Sequence, residues 1–489
     1  MAAMVSQLAG KWMPLLCQEL ETTPNSERRC ASIFAFTSER PFRPGQLLQS
    51  KLPMAHIQPF RALRYDPEQV SLAKVVTQPY DKITREMQER YYRGSPYNLV
   101  RIILGQQENG DNDTQNVYSR AAGFFNDWRQ KGVLRQDSEP SVYVSSQAFR
   151  VPNSTQEVER RGFVALGRIE DYSAGIVFRH EQTLAKPKAD RLNLLRATRA
   201  HFGQIFMLYE DSGEVESLLS LMADPDIEVG DEYGVKHRVS RISDPHLIGA
   251  LQEAMKDKKL IIADGHHRYE TALAYRDESR AAGHQQSTQQ GLSPSEFVMM
   301  TFVNMNSPAL CILPTHRVVH SLPSFSAESF RQAARVFFDV DEADSAVSAP
   351  SATAILREAG RAGTTILAVT ADRAFLLHHP ISNADPQIFE GSSIRQQSLD
   401  VVQLHKCLLD RVLGLSEESI RNQQNISYVR DAGEALSKVR EGHANIAFLM
   451  NPCRMAQVRN IAFAGEVMPQ KSTDFYPKLL SGLTIYALE

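Results

Sequence analysis

Lys259-Leu260-Ile261-Ile262-Ala263-Asp264-Gly265-His266-His267-Arg268-Tyr269-Glu270-Thr271-Ala272-Leu273-Ala274-Tyr275-Arg276 is the stretch around which the chain is organised. Leu260 to Ala263 is an apolar run that reads as a short buried strand. Asp264-Gly265 breaks it, and Tyr269, Ala272, Leu273 and Arg276 then recur at helical spacing. The pattern predicts a strand, a tight turn and a helix start. Gly265 tolerates positive φ, and the first free N–H groups of the helix point out of the same turn. Such an end takes phosphate or carboxylate through backbone donors and the helix dipole, and Arg268 can add a forked, charge-assisted contact. The plainer account is that Asp264 caps the helix, Gly265 only makes the turn and the histidines lie on the surface.

The 489 residues suffice for two or three domains, and 42% hydrophobic with 23% charged residues is ordinary for a soluble globular protein. With a formal net charge of -3 and a pI near 6.6, no global positive field draws the chain to nucleic acid or to an anionic membrane. Cys17, Cys30, Cys311, Cys407 and Cys453 are scattered without a Cys-x-x-Cys pair, which argues against a disulfide framework or a cysteine zinc site and for a reducing cytoplasm. No apolar run reaches the roughly 20 residues that span a bilayer.

Residues 1–54 read as a poorly ordered N-terminal extension rich in Ser, Pro, Arg and Thr. A transit peptide, or a start codon assigned too early with Met54 as the true beginning, are the other readings of this segment. Residues 55–150 read as an N-terminal α/β module. Within it, Lys74 to Asp81 and Leu99 to Leu104 are expected as strands, Thr84 as an N-cap, and Tyr118 to Lys131 as a helix with Ala121, Ala122, Phe125 and Trp128 on its apolar face. Residues 151–320 hold the organising turn. Here Phe206 to Tyr209 and Phe297 to Val303 are expected as strands, Asp224 to Asp231 as an acidic turn, and Pro245 to Lys258 as a helix capped by Asp244. Residues 321–489 read as a further α/β region. It has a hairpin at Thr364–Val369 and Arg373–His378, then a strand, helix and strand from Ile426 to Met450.

Three further segments bear on chemistry. Lys186, Lys188, Arg191, Arg196 and Arg199 concentrate positive charge with only Asp190 among them, so contact with a polyanion stands beside an ordinary solvated helix face. His316-Arg317 echoes the His-Arg of the organising turn. Met468 to Lys478 places two lysines and hydroxyl groups in an irregular turn. Lys471-Ser472-Thr473 superficially matches the end of a phosphate loop, but the preceding glycines are absent and the match is rejected.

Pro59-Phe60-Arg61, Gln78-Pro79-Tyr80-Asp81, Ser95-Pro96-Tyr97-Asn98, Lys188-Ala189-Asp190-Arg191, Ala263 to Glu270 and Pro469 to Thr473 together resemble the domain-of-unknown-function family numbered 1015, over roughly Ile57 to Leu488. A shorter resemblance, confined to Asp264 to Tyr269, is to the phosphate-contacting box of the ParB and sulfiredoxin-like superfamily. It implies a mixed α+β fold, with a ParB-like core in the 151–320 module and an additional C-terminal α/β region. Sulfiredoxin needs a cysteine in this box and partition proteins a helix-turn-helix module. Neither is found here, which leaves the free-serine-kinase branch.

That branch implies a nucleotide-dependent phosphotransferase acting on a small hydroxylated metabolite, with free serine a candidate acceptor. Phosphoryl transfer needs neutralised phosphates, a bridging metal and a base for the attacking hydroxyl. Gly265, His267 and Arg268 would hold phosphate oxygens, with Lys186, Lys188 and Arg191 closing over them. Asp264 or Glu270 would hold Mg²⁺, ATP or ADP would be the nucleotide, and His266 or Glu181 would be the base beside Asp264. Two other readings use the same residues: a nucleotide-responsive regulator without catalysis, and a metal-dependent hydrolase built on His180, His266, His267, His316 and Asp264. Adjacent histidines on a strand or helix rarely reach one metal, which counts against the last.

Overall fold

Leu260–Asp264, Ile205–Tyr209 and Phe297–Asn304 lack polar alternation because they are central strands, covered on both faces, in a nine-stranded mixed sheet. The structure is a computed structural model and describes residues 55–182, 185–220, 225–283, 292–381 and 386–489, without the side chains of 185–187 and 386. The extension expected at 1–54 lies outside the described residues. From one edge the sheet runs Val177–Phe178, Leu260–Asp264, Ile205–Tyr209, Phe297–Asn304, Glu157–Arg168, Val142–Arg150, Lys236–Ile242 and Ile227–Gly230, and Ile57–Gln58 also pairs with Glu157–Arg168. Leu260–Asp264 runs parallel to Val177–Phe178, and Phe297–Asn304 parallel to Ile205–Tyr209; the other pairings are antiparallel.

A second sheet is antiparallel throughout, in the order Asp339–Ala343, Ala374–His378, Thr365–Val369, Ile446–Met450, His316–Val319 and Ile426–Val429. One hydrophobic cluster joins Phe206, Leu208 and Ile261 of the first sheet to Ile366, Phe375 and Phe448 of the second. The C-terminal region therefore shares a core with the motif-bearing module. The last residues run back across the molecule. Asp474–Tyr476 pairs with Cys311–Leu313, Ser481 bridges Thr77, Ile485 bridges Leu63, and Tyr486–Ala487 pairs with Ala200–His201.

Several local expectations hold for the reasons that generated them. Thr84 accepts the Met87 N–H, Asp244 accepts the His246 N–H ahead of Pro245, and Ala121, Phe125 and Trp128 are buried on one helix face. Others fail. Leu99 to Leu104 contains the short helix Val100–Ile103, with the Asn98 side chain accepting the Val100 N–H; a brief apolar run buried all round has no period to separate strand from helix. Lys74 to Asp81 is a helical turn, Leu72–Val75, then a single bridge at Thr77 and a 3-10 turn, Tyr80–Lys82. The acidic segment at 224–231 contains a strand, Ile227–Gly230, in which Ile227 and Val229 point inward while Glu228 is exposed. Its acidic residues obscured a period of two.

Two histidines are sealed into this architecture. His180 is fully buried, and burial lowers its pKa to about 4; His316 is 3% exposed, accepts the Met450 N–H at Nδ1, and is likewise lowered to about 4 by burial and the adjacent Arg317. Their ordinary value is 6.5, so the unfolded chain takes up protons first. Stability is expected to be complete above pH 6.5 and to fall as pH drops from 6.5 towards 4. Urea midpoints measured across that window should decline before the bulk of the carboxylates titrate, and a flat profile down to about pH 5 would contradict the assignment.

Candidate functional site

The organising turn folds as its residues require. The strand ends at Asp264, Gly265 adopts φ 95°, and the helix His266–Ala281 begins directly after it. Gly265 is the N-cap residue and no side chain caps this end, so Asp264 is not the helix cap, and the first residues of the helix line a cavity of about 200 Å³. Arg268 folds back over Gly265. It donates to the Gln204 carbonyl at 2.6 Å and lies 3.4 Å from Asp264 Oδ2, which fixes the carboxylate at the cavity edge.

Besides Glu181, Gln182 and Thr315, three further segments line the walls. The 3-10 turn after Pro79 brings Tyr80, Asp81 and Lys82; the end of Ile426–Val429 brings Tyr428 and Arg430; the 468–478 segment, expected to be irregular throughout but closed by the strand Asp474–Tyr476 once Cys311–Leu313 offers it a partner, brings Lys471, Thr473, Asp474 and Lys478. Five cationic side chains (Lys82, Arg268, Arg430, Lys471, Lys478) thus face four carboxylates (Asp81, Glu181, Asp264, Asp474) around a helix N-terminus. Lys478 is 8% exposed and sits 3.0 Å from Asp474 and 3.7 Å from Asp264. Lys82 is 3.6 Å from Asp474, which also pairs with Arg430.

The electrostatics follow from that packing. Burial alone would raise the Asp264 carboxyl, but Lys478, Arg268 and Lys82 outweigh it and hold Asp264 well below the usual carboxylate range. Burial would lower Lys478, yet Asp264 and Asp474 keep it above its ordinary value. Lys82 has less compensation, so burial and the neighbouring Lys478 bring it down to about 8. Glu181 is raised by burial against the pull of Lys471, whose backbone N–H it accepts. His266 is buried with its ring 4.8 Å from that of His180, and burial followed by repulsion from His180 drives its pKa well below normal.

Of the residues singled out from sequence, Glu181, Asp264, Gly265, His266, His267 and Arg268 border the cavity. Glu270 does not. Its carboxylate lies 3.5 Å from Arg179 and 3.8 Å from Lys188, on the face of the motif helix turned towards the basic helix Ala185–Thr198. Arg191 stacks 4.2 Å over Tyr80 and lines a neighbouring recess that shares Tyr80 and Arg268 with the cavity. The Lys186 side chain lies outside the described residues. The charge of the basic helix has partners that its own segment did not reveal: Glu270 for Lys188, Glu278 for Arg196, and the Leu488 carbonyl for Arg199. Residues that sequence reasoning missed are Lys82, Arg430, Asp474 and Lys478. The odd density of lysine and hydroxyl groups at 468–478 was a signal for two of them, whereas nothing in the local sequence marks Arg430.

His180 contacts Thr473 at 2.8 Å, and His316 serves the second sheet. Among the described residues, His180, His266, His267 and His316 do not form a group of three close enough to share an ion.

The chain matches, over residues 57–402, the family described as protein of unknown function (DUF1015), and it belongs to that family. No curated protein matches it. Among solved structures it is similar to a conserved hypothetical protein from Pyrococcus furiosus, with 10% identity, a TM-score of 0.33, and coverage of 64% of this chain and 92% of that one. It is similar also to a free serine kinase in complex with AMP, at 13% identity and a TM-score of 0.32, covering 63% and 89% of the two chains. A third is SbnI with a C-terminal truncation from Staphylococcus aureus, at 11% and 0.32, covering 66% and 87%.

Removing the buried ammonium is the direct test of the ion network. Lys478→Met would leave buried Asp474 and part-buried Asp264 short of their shared cation and should destabilise the protein by about 3 kcal/mol in urea unfolding. Lys471→Met, at an exposed position, should cost far less. Equal effects would show that the network does not hold the fold together.

Proposed function

We propose that this protein is a nucleotide-dependent phosphotransferase acting on a small hydroxylated metabolite, with free serine a candidate acceptor. The observation that supports it most is the convergence of Lys82, Arg430, Lys471 and Lys478 on the open helix N-terminus at Gly265. Fixed cations and backbone donors around a half-enclosed polar cavity are what phosphoryl transfer needs, because the charge that develops lies on the phosphate oxygens. In this reading the terminal phosphates occupy the cavity, held by the helix end, Arg268 and Lys471. The nucleoside lies towards the recess lined by Leu194, Leu195 and Phe202. The cavity is small, which suits a compact acceptor.

The donors fit Mg²⁺ through Asp264, an ionised carboxylate at the cavity edge; one carboxylate with phosphate oxygens and water is a common Mg²⁺ set. Held by Asp264, the ion would offset the negative charge of the phosphate oxygens. Glu270 is not part of this set, because it does not border the cavity. Glu181 is the better base of the two considered, since burial raises its affinity for a proton and it borders the cavity, whereas His266 is packed against His180. The second reading, a nucleotide-responsive regulator, uses the same cradle without turnover.

Calorimetric titration with ATP, ADP and AMP, with and without Mg²⁺, tests the cradle. Arg430→Ala and Lys471→Ala should each lose a charge-assisted bond of about 1.5 to 3 kcal/mol, lowering affinity by about one to two orders of magnitude. Glu181→Gln should retain binding and lose transfer to serine or a related hydroxyl compound. Nucleotide binding without turnover in the parent would favour the regulator, and no binding at all would remove both readings.

Lys82 supplies a separate test. Its ammonium titrates near pH 8, so affinity for a phosphorylated ligand should fall as pH rises through about 8. In Lys82→Arg, whose charge persists there, the fall should be absent.

A further inference from the structure

At the far edge of the second sheet, Asp339 stands opposite His378 across the pair formed by Asp339–Ala343 and Ala374–His378. Adjacent residues of a strand face opposite sides, so His378 and His379 would ordinarily diverge. They do not, because the strand ends at His378 and His379 adopts φ 47°, in the left-handed region. That reversal places the two Nδ1 atoms 2.9 Å apart, with His379 Nδ1 also 3.3 Å from Asp339 Oδ2. All three ligand atoms lie within 4.8 Å of one another.

The fourth participant sets the chemistry. His378 Nε2 lies 2.9 Å from Asp341 Oδ2, and an ionised carboxylate can only accept, so Nε2 donates and, in the neutral imidazole, the Nδ1 lone pair is on the side of His379. Without an ion, a proton on His379 Nδ1 would have to be shared between His378 Nδ1 and Asp339 Oδ2. Two imidazole nitrogens and a carboxylate oxygen therefore converge on one small volume, with an outer carboxylate orienting one ring. This is the arrangement by which proteins hold divalent transition metals.

We propose that Asp339, His378 and His379 bind one divalent transition cation of the zinc class, with Asp341 as a positioning residue. Two nitrogens and one oxygen suit Zn²⁺ and its neighbours rather than Mg²⁺ or Ca²⁺, which prefer all-oxygen sets. Three protein ligands leave room for water. The ion would tie the edge strand Asp339–Ala343 to its neighbour and occupies a place remote in sequence from every residue of the phosphate cradle.

The test uses the full chain without a histidine tag, titrated with Zn²⁺ by calorimetry, alongside thermal unfolding with and without the metal. The parent should bind at one site and melt at a higher temperature when Zn²⁺ is present. His379→Asn, which tolerates the left-handed backbone, and Asp339→Asn should each weaken that site by at least about tenfold, and Asp341→Asn by about 10- to 100-fold. All these positions are at the sheet edge, so the metal-free variants should melt as the parent does. A parent that binds no Zn²⁺, or one whose binding survives both ligand changes, overturns the proposal.

Discussion

The buried ammonium of Lys478 between Asp474 and Asp264 is the constraint on which the rest of the site depends. Taking a lysine out of water is costly unless carboxylates meet it, and here two do, from segments more than two hundred residues apart. The network therefore exists only when the first sheet, the organising turn and the C-terminal segment are all in place. It also fixes the charge at the cavity: Asp264 stays ionised, Lys478 stays protonated, and Lys82, with the weaker compensation, is left near pH 8.

Buried arginines keep the 468–478 segment where the ions need it. Arg160, almost fully buried in the first sheet, donates to the Tyr476 and Pro477 carbonyls, and Arg317 in the second sheet donates to the Lys471 carbonyl at 3.1 Å. Each satisfies carbonyls that the segment cannot satisfy within itself. Arg268 plays the corresponding part at the organising turn. It reaches the Gln204 carbonyl, and the Gln204 side chain bridges Thr301 and Thr484. Arg268 thus shapes the turn as well as bordering the cavity, a dual role that its position beside two histidines did not disclose.

The shape of the turn from Asp264 to Arg268, a glycine at positive φ directly before a helix, has local causes and is legible from five residues. The local excess of positive charge on the basic helix is offset from outside its own segment, since Glu270 and Glu278 lie on a different helix. Counting charges within a segment says nothing about the element packed against it.

What the sequence by itself determined is the set of features with short-range causes: the strand, turn and helix at 260–281, the caps at Thr84 and Asp244, the helix face of Ala121, Phe125 and Trp128, and the hairpin ending at His378. Hydrophobic period and capping chemistry act over a few residues, so they can be seen in a few residues. Only the tertiary structure decided that Leu99 to Leu104 would be helical, that Glu270 would turn away from the cavity, and that Lys82, Arg430, Asp474 and Lys478 would meet at Gly265. Those outcomes depend on which faces the two sheets bury against each other and on where a buried charge finds its partner, and neither is encoded in spacing along the chain.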